Sequence, residues 1–447
     1  MTETLSSLQI PARETPGQHK TVQTPTHACH TGCGFGPGHT HTLGGESNAS
    51  TAASPSPALS YEHLTAPPGA ASSSAALYHS ADHEGTLPDL ISQYGNSSAL
   101  AWLDSEKYKI WRPSQPIPDS EFTPAQGYIQ KESFIFAWGN PLVSSHAALE
   151  KTARAFIAFV ESNHMHLVWC CVDQELEAIL ASDALGWSTM SCIYEDVMDP
   201  EHVVEVIDHN EHLKNHLAHA HKDHVEVREV KRGEWDPMAR REVETGIREW
   251  RAHRHGFDTD SPLAQPWLDE EHRRYWLATR GDKVVGFEAL ACVAPNSWQI
   301  VKCISFHHSI PGIAEKLITT ALGDLYTEQR ETEKEEPSLT VVPPEAASEE
   351  GATVTEASLS EMRHRNRISV SFGISAAEHL SPGHNIGGWK ISVLSRTYKA
   401  VSGMVGLLKT TQFRKQFDPK HEPMFICYPD NRFGFLSIGP LLMALRK

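Results

Sequence analysis

No stretch of 18 or more consecutive apolar residues occurs in the 447-residue chain, so no segment reads as a membrane-spanning helix. The start lacks a basic segment followed by an apolar run, and a secretory leader is not expected. Positive charge is scarce: 39 Lys and Arg stand against 56 Asp and Glu, for a net charge of −17. Cysteine is sparse as well. Most of the eight cysteines lie in apolar, strand-like segments, as buried thiols of a reducing, cytoplasmic compartment would. No Ser-His-Asp or Cys-His arrangement with recognisable spacing is present, which removes the usual signature of a covalent acyl-enzyme.

What basic charge exists is concentrated. Residues 363–447 carry +9, while 1–100, 101–327 and 328–362 carry −5, −13 and −8. Within the basic block, Gly406–Pro429 reads GLLKTTQFRKQFDPKHEPMFICYP and interleaves Lys409, Arg414, Lys415 and Lys420 with Phe413, Phe417 and Phe425. Such a patch attracts phosphates whatever the net charge; a solvated surface balancing acidic neighbours is the plainer alternative.

Residues 1–100 are rich in Ser, Thr, Ala, Gly, Pro and His, and are expected to form a disordered tail. The tail holds metal-capable His27, Cys29, His30, Cys33, His39 and His41, but no second matched pair follows, and no metal site is expected. Residues 101–208 then alternate strand and helix. They include the apolar strand around Phe134–Trp138, an amphipathic helix from His146, and the strands HLVWCCV and GWSTMSCIYEDV. A His-rich connector spans 209–228, where His212, His216 and His219 share one helical face. It is read as a solvated linker helix.

A second unit, 229–447, repeats the theme. It has a long helix (DPMARREVETGIREWRAHR), two strands around a Gly281–Asp282 turn, the strand SWQIVKCISF, and a helix after Gly312. An acidic insertion, 328–362, is expected to be disordered, after which RISVSFGISA resumes the sheet. Helices, hairpin, strand, helix, strand is the order of the GNAT acyltransferase fold. The expected class is therefore α/β (α+β), with tandem GNAT-like units. The phosphate-cradling loop of an acetyl-CoA enzyme needs several glycines at the helix start. FHHSIPGIAEKL offers Gly312 alone and VDQELEAIL none.

Four blocks in order carry a resemblance over roughly residues 125–447. They are Ala137–Val143 (AWGNPLV), Lys283–Val293 (KVVGFEALACV), Val370–Leu380 (VSFGISAAEHL), and the C-terminal block with Phe413–Pro419, Glu422-Pro423 and Tyr428-Pro429. Together they resemble the C-terminal catalytic domain of aminoacyl-phosphatidylglycerol synthases. The match is closer to the free-standing fungal branch, similar to ergosteryl-glycine synthases. Two departures stand out: Asn140 replaces an Asp, and the family's Asp-x-x-Arg appears as Gln299-Ile300-Val301-Lys302.

The resemblance implies transfer of an amino acid, glycine foremost, from aminoacyl-tRNA to a membrane lipid, either a sterol or a phospholipid. An ester is exchanged for an ester, so no cofactor is expected. Arg414, Lys415 and Lys409 are the candidates for the tRNA phosphates, and Lys302 for the transferred carbonyl. Gln299 would orient the amino acid, since an amide cannot act as a base. His307 and His308, with His255 behind them, are the general-base candidates. The segment RFGFLSIGPLLMALRK either rests on a membrane surface or packs on the second unit. An ordinary CoA-dependent acetyltransferase and a non-catalytic tRNA- or lipid-binding protein are the rival readings.

Overall fold

A computed structural model describes residues 85–252, 265–306, 310–335, 367–387 and 409–429, with the helical residues Ser392, Ser395 and Tyr398. The metal-capable tail residues, His255, His307, His308, the rest of the acidic insertion and the apolar C-terminal segment lie outside the described residues.

One eleven-stranded sheet organises the described chain. In sequence order its strands are β1 (Lys109–Trp111), β2 (Gln126–Lys131), β3 (Phe134–Trp138), β4 (His166–Val172), β5 (Trp187–Met198) and β6 (Val225–Glu229). They continue as β7 (Arg273–Arg280), β8 (Lys283–Ala294), β9 (Ser297–Ser305), β10 (Ser369–Pro382) and β11 (Lys420–Pro429). The spatial order is β1-β2-β3-β4-β11-β5-β10-β9-β8-β7-β6.

Pairing is symmetric about the β11–β5 ladder. β3 runs parallel to β4, and β9 runs parallel to β10. Every other pairing is antiparallel, β4–β11, β11–β5 and β5–β10 included. A parallel pair needs a crossover, and the helices α2 (His146–Ser162) and α7 (Ile313–Glu335) supply the two. Each half therefore lends its last strand to the other: β5 pairs with β10 of the second half, and β11 inserts between β4 and β5 of the first. The basic block Phe413–Pro429, expected within the second unit, ends in the first half's sheet. A boundary drawn along the sequence cannot represent that exchange.

Side-chain alternation gives the sheet two faces. On the front, Ala289, Ala291 and Val293 of β8 join a core with α1 (Leu87–Tyr94) at one end and α6 (Pro237–Ala252) at the other. On the back, Leu290 and Trp276 pack under α7, with α4 (Pro200–His209) and α5 (Glu211–Lys222) alongside. The back of the first half is covered by α2 and α3 (Gln174–Ala181) over Trp169 and Val172.

Order begins before residue 101. A Thr86/Asp89 capping box starts α1, which buries Leu87, Leu90 and Ile91. Each such side chain is worth roughly 1.5–3 kcal/mol when fully buried. Trp102, in a 3-10 turn over Ala99–Leu103, lies flat on β2, and a Cβ on Gly127 would meet its indole at 2.4 Å. Composition averaged over the tail hid this short apolar end. The acidic insertion also starts later than expected. Helix α7 continues to Glu335, with Gln329 donating to Glu333 one turn on at 3.0 Å.

The His-rich connector is two-thirds helix and not merely solvated. α5 buries Leu213 and Ala220 and packs against α7.

Candidate functional site

The front of the sheet opens between β9 and β10. Their parallel ladder has only three pairs, Ser369–Ser371 against Ser297–Gln299. Past it, Gly373 takes φ +77° where β10 slips register against β5. A Cβ there would lie 2.6 Å from the Gln299 Nε2, so the Gln299 amide covers the glycine. The buried Gln299 Oε1 has no hydrogen-bond partner among the described residues.

β9 carries a bulge beside this opening. Ile300 faces Leu290 and Lys302 faces Ala289, which leaves Val301 unpaired between them. A regular strand would send Gln299 and Lys302 to opposite faces. The extra residue turns both to the front, opposite Ala291 and Ala289, and the Lys302 Nζ stands 5.8 Å from the Trp250 ring of α6.

Glu195 of β5 completes this face. It pairs across the sheet with Ile374, next to the Gly373 bulge, and burial pushes its carboxyl above the ordinary range. The Ser371 and Ser97 hydroxyls beside it oppose that rise, though Ser97 Oγ completes no hydrogen bond of ordinary geometry. Glu195 has no ion-pair partner among the described residues. Val301, Ile374, Ile193 and Leu268 are partly buried apolar side chains on the same core.

The back face holds a different acid. Asp196 is fully buried. Its Oδ1 contacts His421 Nδ1 at 2.7 Å, and its Oδ2 accepts from Arg414 Nη1 at 3.1 Å and Ser375 Oγ at 2.5 Å. Arg414 also donates to the Gly373 carbonyl at 3.5 Å and stacks 5.4 Å from the Phe372 ring. Gln299 and Arg414, distant in sequence, therefore meet at Gly373 from opposite faces.

Arg414 lies on α8 (Lys409–Lys415) and is largely spent on Asp196, with 20% of its side chain exposed. Lys415 is exposed and stands 3.6 Å from Glu378. Lys409 opens α8, and its side chain is outside the described part. Four cysteines are buried apolar thiols: Cys170, Cys171, Cys192 and Cys427. Burial raises all four, Cys192 to about 12, which suits packing and not nucleophilic attack.

The β9–α7 junction, where the expected GNAT reading would seat a pyrophosphate, is filled by protein. At the start of α7, Gly312 has φ +93°, and a Cβ on it would meet the His216 carbonyl at 2.1 Å. Glu315, in the first turn of α7, is 2.5 Å from the His216 Nδ1. A carboxylate there already answers the positive helix end. His212 stacks on His216 with ring centroids 4.3 Å apart. Among the described residues no His, Cys, Asp and Glu group is arranged to hold a metal.

Sequence reading missed Glu195, Asp196 and His421. Paired acids inside an apolar strand, IYEDV, were the available signal, since each must face a different environment. His421 sat inside the quoted C-terminal block, unremarked between Lys420 and Glu422.

No protein-family model and no curated protein sequence matches the chain. Solved structures do. A domain described as the C-terminal domain of a lysylphosphatidylglycerol synthetase from Agrobacterium fabrum superposes with TM-score 0.53 at 13% identity, over 80% of this chain and 93% of that one. L-PGS from Bacillus licheniformis superposes with TM-score 0.53 at 10% identity, over 81% and 96%. At these identities the likeness is one of fold: a mixed α/β protein built on one large sheet with helices.

Proposed function

We propose that this protein transfers an aminoacyl group from aminoacyl-tRNA to a lipid hydroxyl. In its finer form the amino acid is glycine and the acceptor is the ergosterol 3-hydroxyl, a reading that rests on the resemblance to the fungal branch. The observation that carries the proposal is a contrast at the β9–α7 unit. The pyrophosphate seat is closed by His216 and Glu315. The acyl end of β9 keeps an amide and an amine on one face, and the acid of β5 lies on that same face two strands away. A donor held by something other than a CoA pyrophosphate fits that contrast, and the shared fold with two lysylphosphatidylglycerol synthetases supports it.

In this reading Lys302 stabilises the negative charge that develops on the ester oxygens, and Gln299 orients the amino acid. The partly buried Val301, Ile374 and Leu268 offer apolar surface to a lipid. Lys415 of α8, with Lys409 beside it, meets the tRNA phosphates, while Arg414 is held by Asp196, and membrane contact is peripheral. No helix among the described residues is long and apolar enough to cross a membrane.

The test is transfer of radiolabelled glycine from charged tRNA to liposomes containing ergosterol, or phosphatidylglycerol, or neither. Label extracted with ergosterol is the expected result. Label on phosphatidylglycerol alone would replace the acceptor, and a melting shift with CoA would replace the donor. One observation favours a non-catalytic binding protein: Gln299 stands where the resembling family has an acid. tRNA binding without transfer to any lipid would establish that reading.

A further inference from the structure

We infer that Glu195 is the general base that takes the proton of the acceptor hydroxyl. The inference rests on the aminoacyl-transfer reading above and names a residue that the sequence did not suggest. Three observations carry it.

The first is position. Glu195, Gln299 and Lys302 come from different strands, yet all face the front where β9 and β10 part. Glu195 pairs with Ile374, one residue past the Gly373 bulge, and Ser371 pairs with Gln299. The acid thus lies two strands from the amide, with only β10 between them, and on the same side.

The second is chemistry. Gln299 cannot take a proton. On the back face both oxygens of Asp196 are occupied, by His421 on one side and by Arg414 and Ser375 on the other. Glu195 carries a carboxylate with no ion pair among the described residues, and the groups beside it that can donate to it are the Ser371 and Ser97 hydroxyls, which a substrate hydroxyl could replace.

The third is environment. The groups around Glu195 are the Ser371 and Ser97 hydroxyls, the Glu422 carboxylate of β11, the Cys171 thiol of β4, and Asp196 on the opposite face. Burial and the two acids raise its proton affinity, which brings a carboxylate closer to the strength a base needs at neutral pH.

The step balances without a co-reactant. The acceptor O–H gives its proton to Glu195 while its oxygen bonds to the aminoacyl carbonyl carbon. The tetrahedral oxyanion then collapses, the bond to the ribose oxygen breaks, and Glu195 returns the proton to that oxygen. The carboxylate is restored and one ester has become another.

The experiment uses the full chain, charged tRNA and sterol liposomes, with Glu195→Gln and Glu195→Asp beside the wild type. Glu195→Gln is expected to lower the transfer rate about 10²–10⁴-fold, to bind tRNA as before, and to lose the acid limb of the rate-versus-pH profile. Glu195→Asp is expected to keep part of the rate with a displaced acid limb. Circular dichroism and melting on both variants separate chemistry from folding. A wild-type rate and acid limb in Glu195→Gln would overturn the assignment while leaving the transferase reading in place. Absence of transfer by the wild type to every acceptor would overturn both. A Glu195 carboxyl that titrates in the ordinary range, read by isotope-edited infrared difference against Glu195→Gln, would also overturn it.

Discussion

Glu195 and Asp196 are neighbours in sequence with the same functional group, and they lead different lives. Strand alternation sends one to the front of the sheet and the other to the back. Asp196 meets a histidine, an arginine and a serine and is fully sealed from solvent. Glu195 meets two hydroxyls and apolar side chains at the strand opening. The back-face acid joins β5, β10, β11 and α8 where the two halves exchange strands. The front-face acid shares its face with Gln299 and Lys302. Identical residue chemistry, one position apart, can serve assembly or reaction according to what the opposing strands bring.

Breaking the back face should have the largest effect. Asp196→Ala leaves the Arg414 guanidinium, mostly buried, without its carboxylate. Removing one partner of a buried pair costs roughly 3–5 kcal/mol. Denaturant unfolding should show that loss, whereas Glu195→Gln should move stability far less. Equal losses from the two would erase the distinction drawn between the faces.

Breaking the front face should cost activity instead. Lys302→Ala is expected to slow aminoacyl transfer by about two to three decades, equivalent to roughly 3–4 kcal/mol of transition-state stabilisation. tRNA binding and melting temperature should change little, and Lys302→Arg should retain part of the rate. A wild-type rate in Lys302→Ala would remove Lys302 from the site. A rate lost only because tRNA no longer binds would do the same.

A third acid tests what burial alone does. Glu288 of β8 is fully buried on the back face near Trp276 and Cys303, and neither oxygen has a hydrogen-bond partner among the described residues. Burial raises its pKa well above the ordinary 4.5. The sign follows: a raised folded pKa leaves stability intact below about 4.5 and erodes it as pH climbs from there toward the folded value. Glu288→Met, similar in volume, should therefore stabilise the protein at neutral pH by roughly 1–3 kcal/mol, the cost of an unsatisfied buried polar group. The gain should shrink toward pH 4. A destabilised variant at neutral pH would mean that Glu288 has a partner its surroundings do not reveal.

Much of this architecture was legible in sequence, because hydrophobic periodicity reports local elements. The strands HLVWCCV and SWQIVKCISF and the helix from His146 are where their patterns put them. What periodicity cannot report is which strands meet. The exchange of β5 and β11 depends on contacts more than 200 residues apart, such as His421 with Asp196. The Val301 bulge was legible only as a condition: Gln299 and Lys302 could share a face if β9 were irregular. The role of α5 was hidden for another reason. Its histidines suggested a solvated linker, while Leu213, Ala220 and the His216–Glu315 contact belong to the core around α7.

The smallest effect divides the basic patch itself. Sequence alone placed Arg414 and Lys415 together as phosphate ligands. In the fold they point into different surroundings: Arg414 is held by buried Asp196, and Lys415 is exposed with Glu378 at 3.6 Å. An exposed pair of that length contributes little, so Lys415 can leave Glu378 for a phosphate. Each phosphate contact adds about one unit to the dependence of log K on log salt. Lys415→Ala should therefore flatten the tRNA salt slope by about one unit without changing stability. Arg414→Ala should lower stability first, because it strands Asp196 in the interior. If Lys415→Ala leaves the slope unchanged, the exposed end of α8 is solvated surface and the tRNA is gripped elsewhere. If Arg414→Ala flattens the slope in a protein that melts like the wild type, the guanidinium is a ligand group after all and the back face is not purely structural.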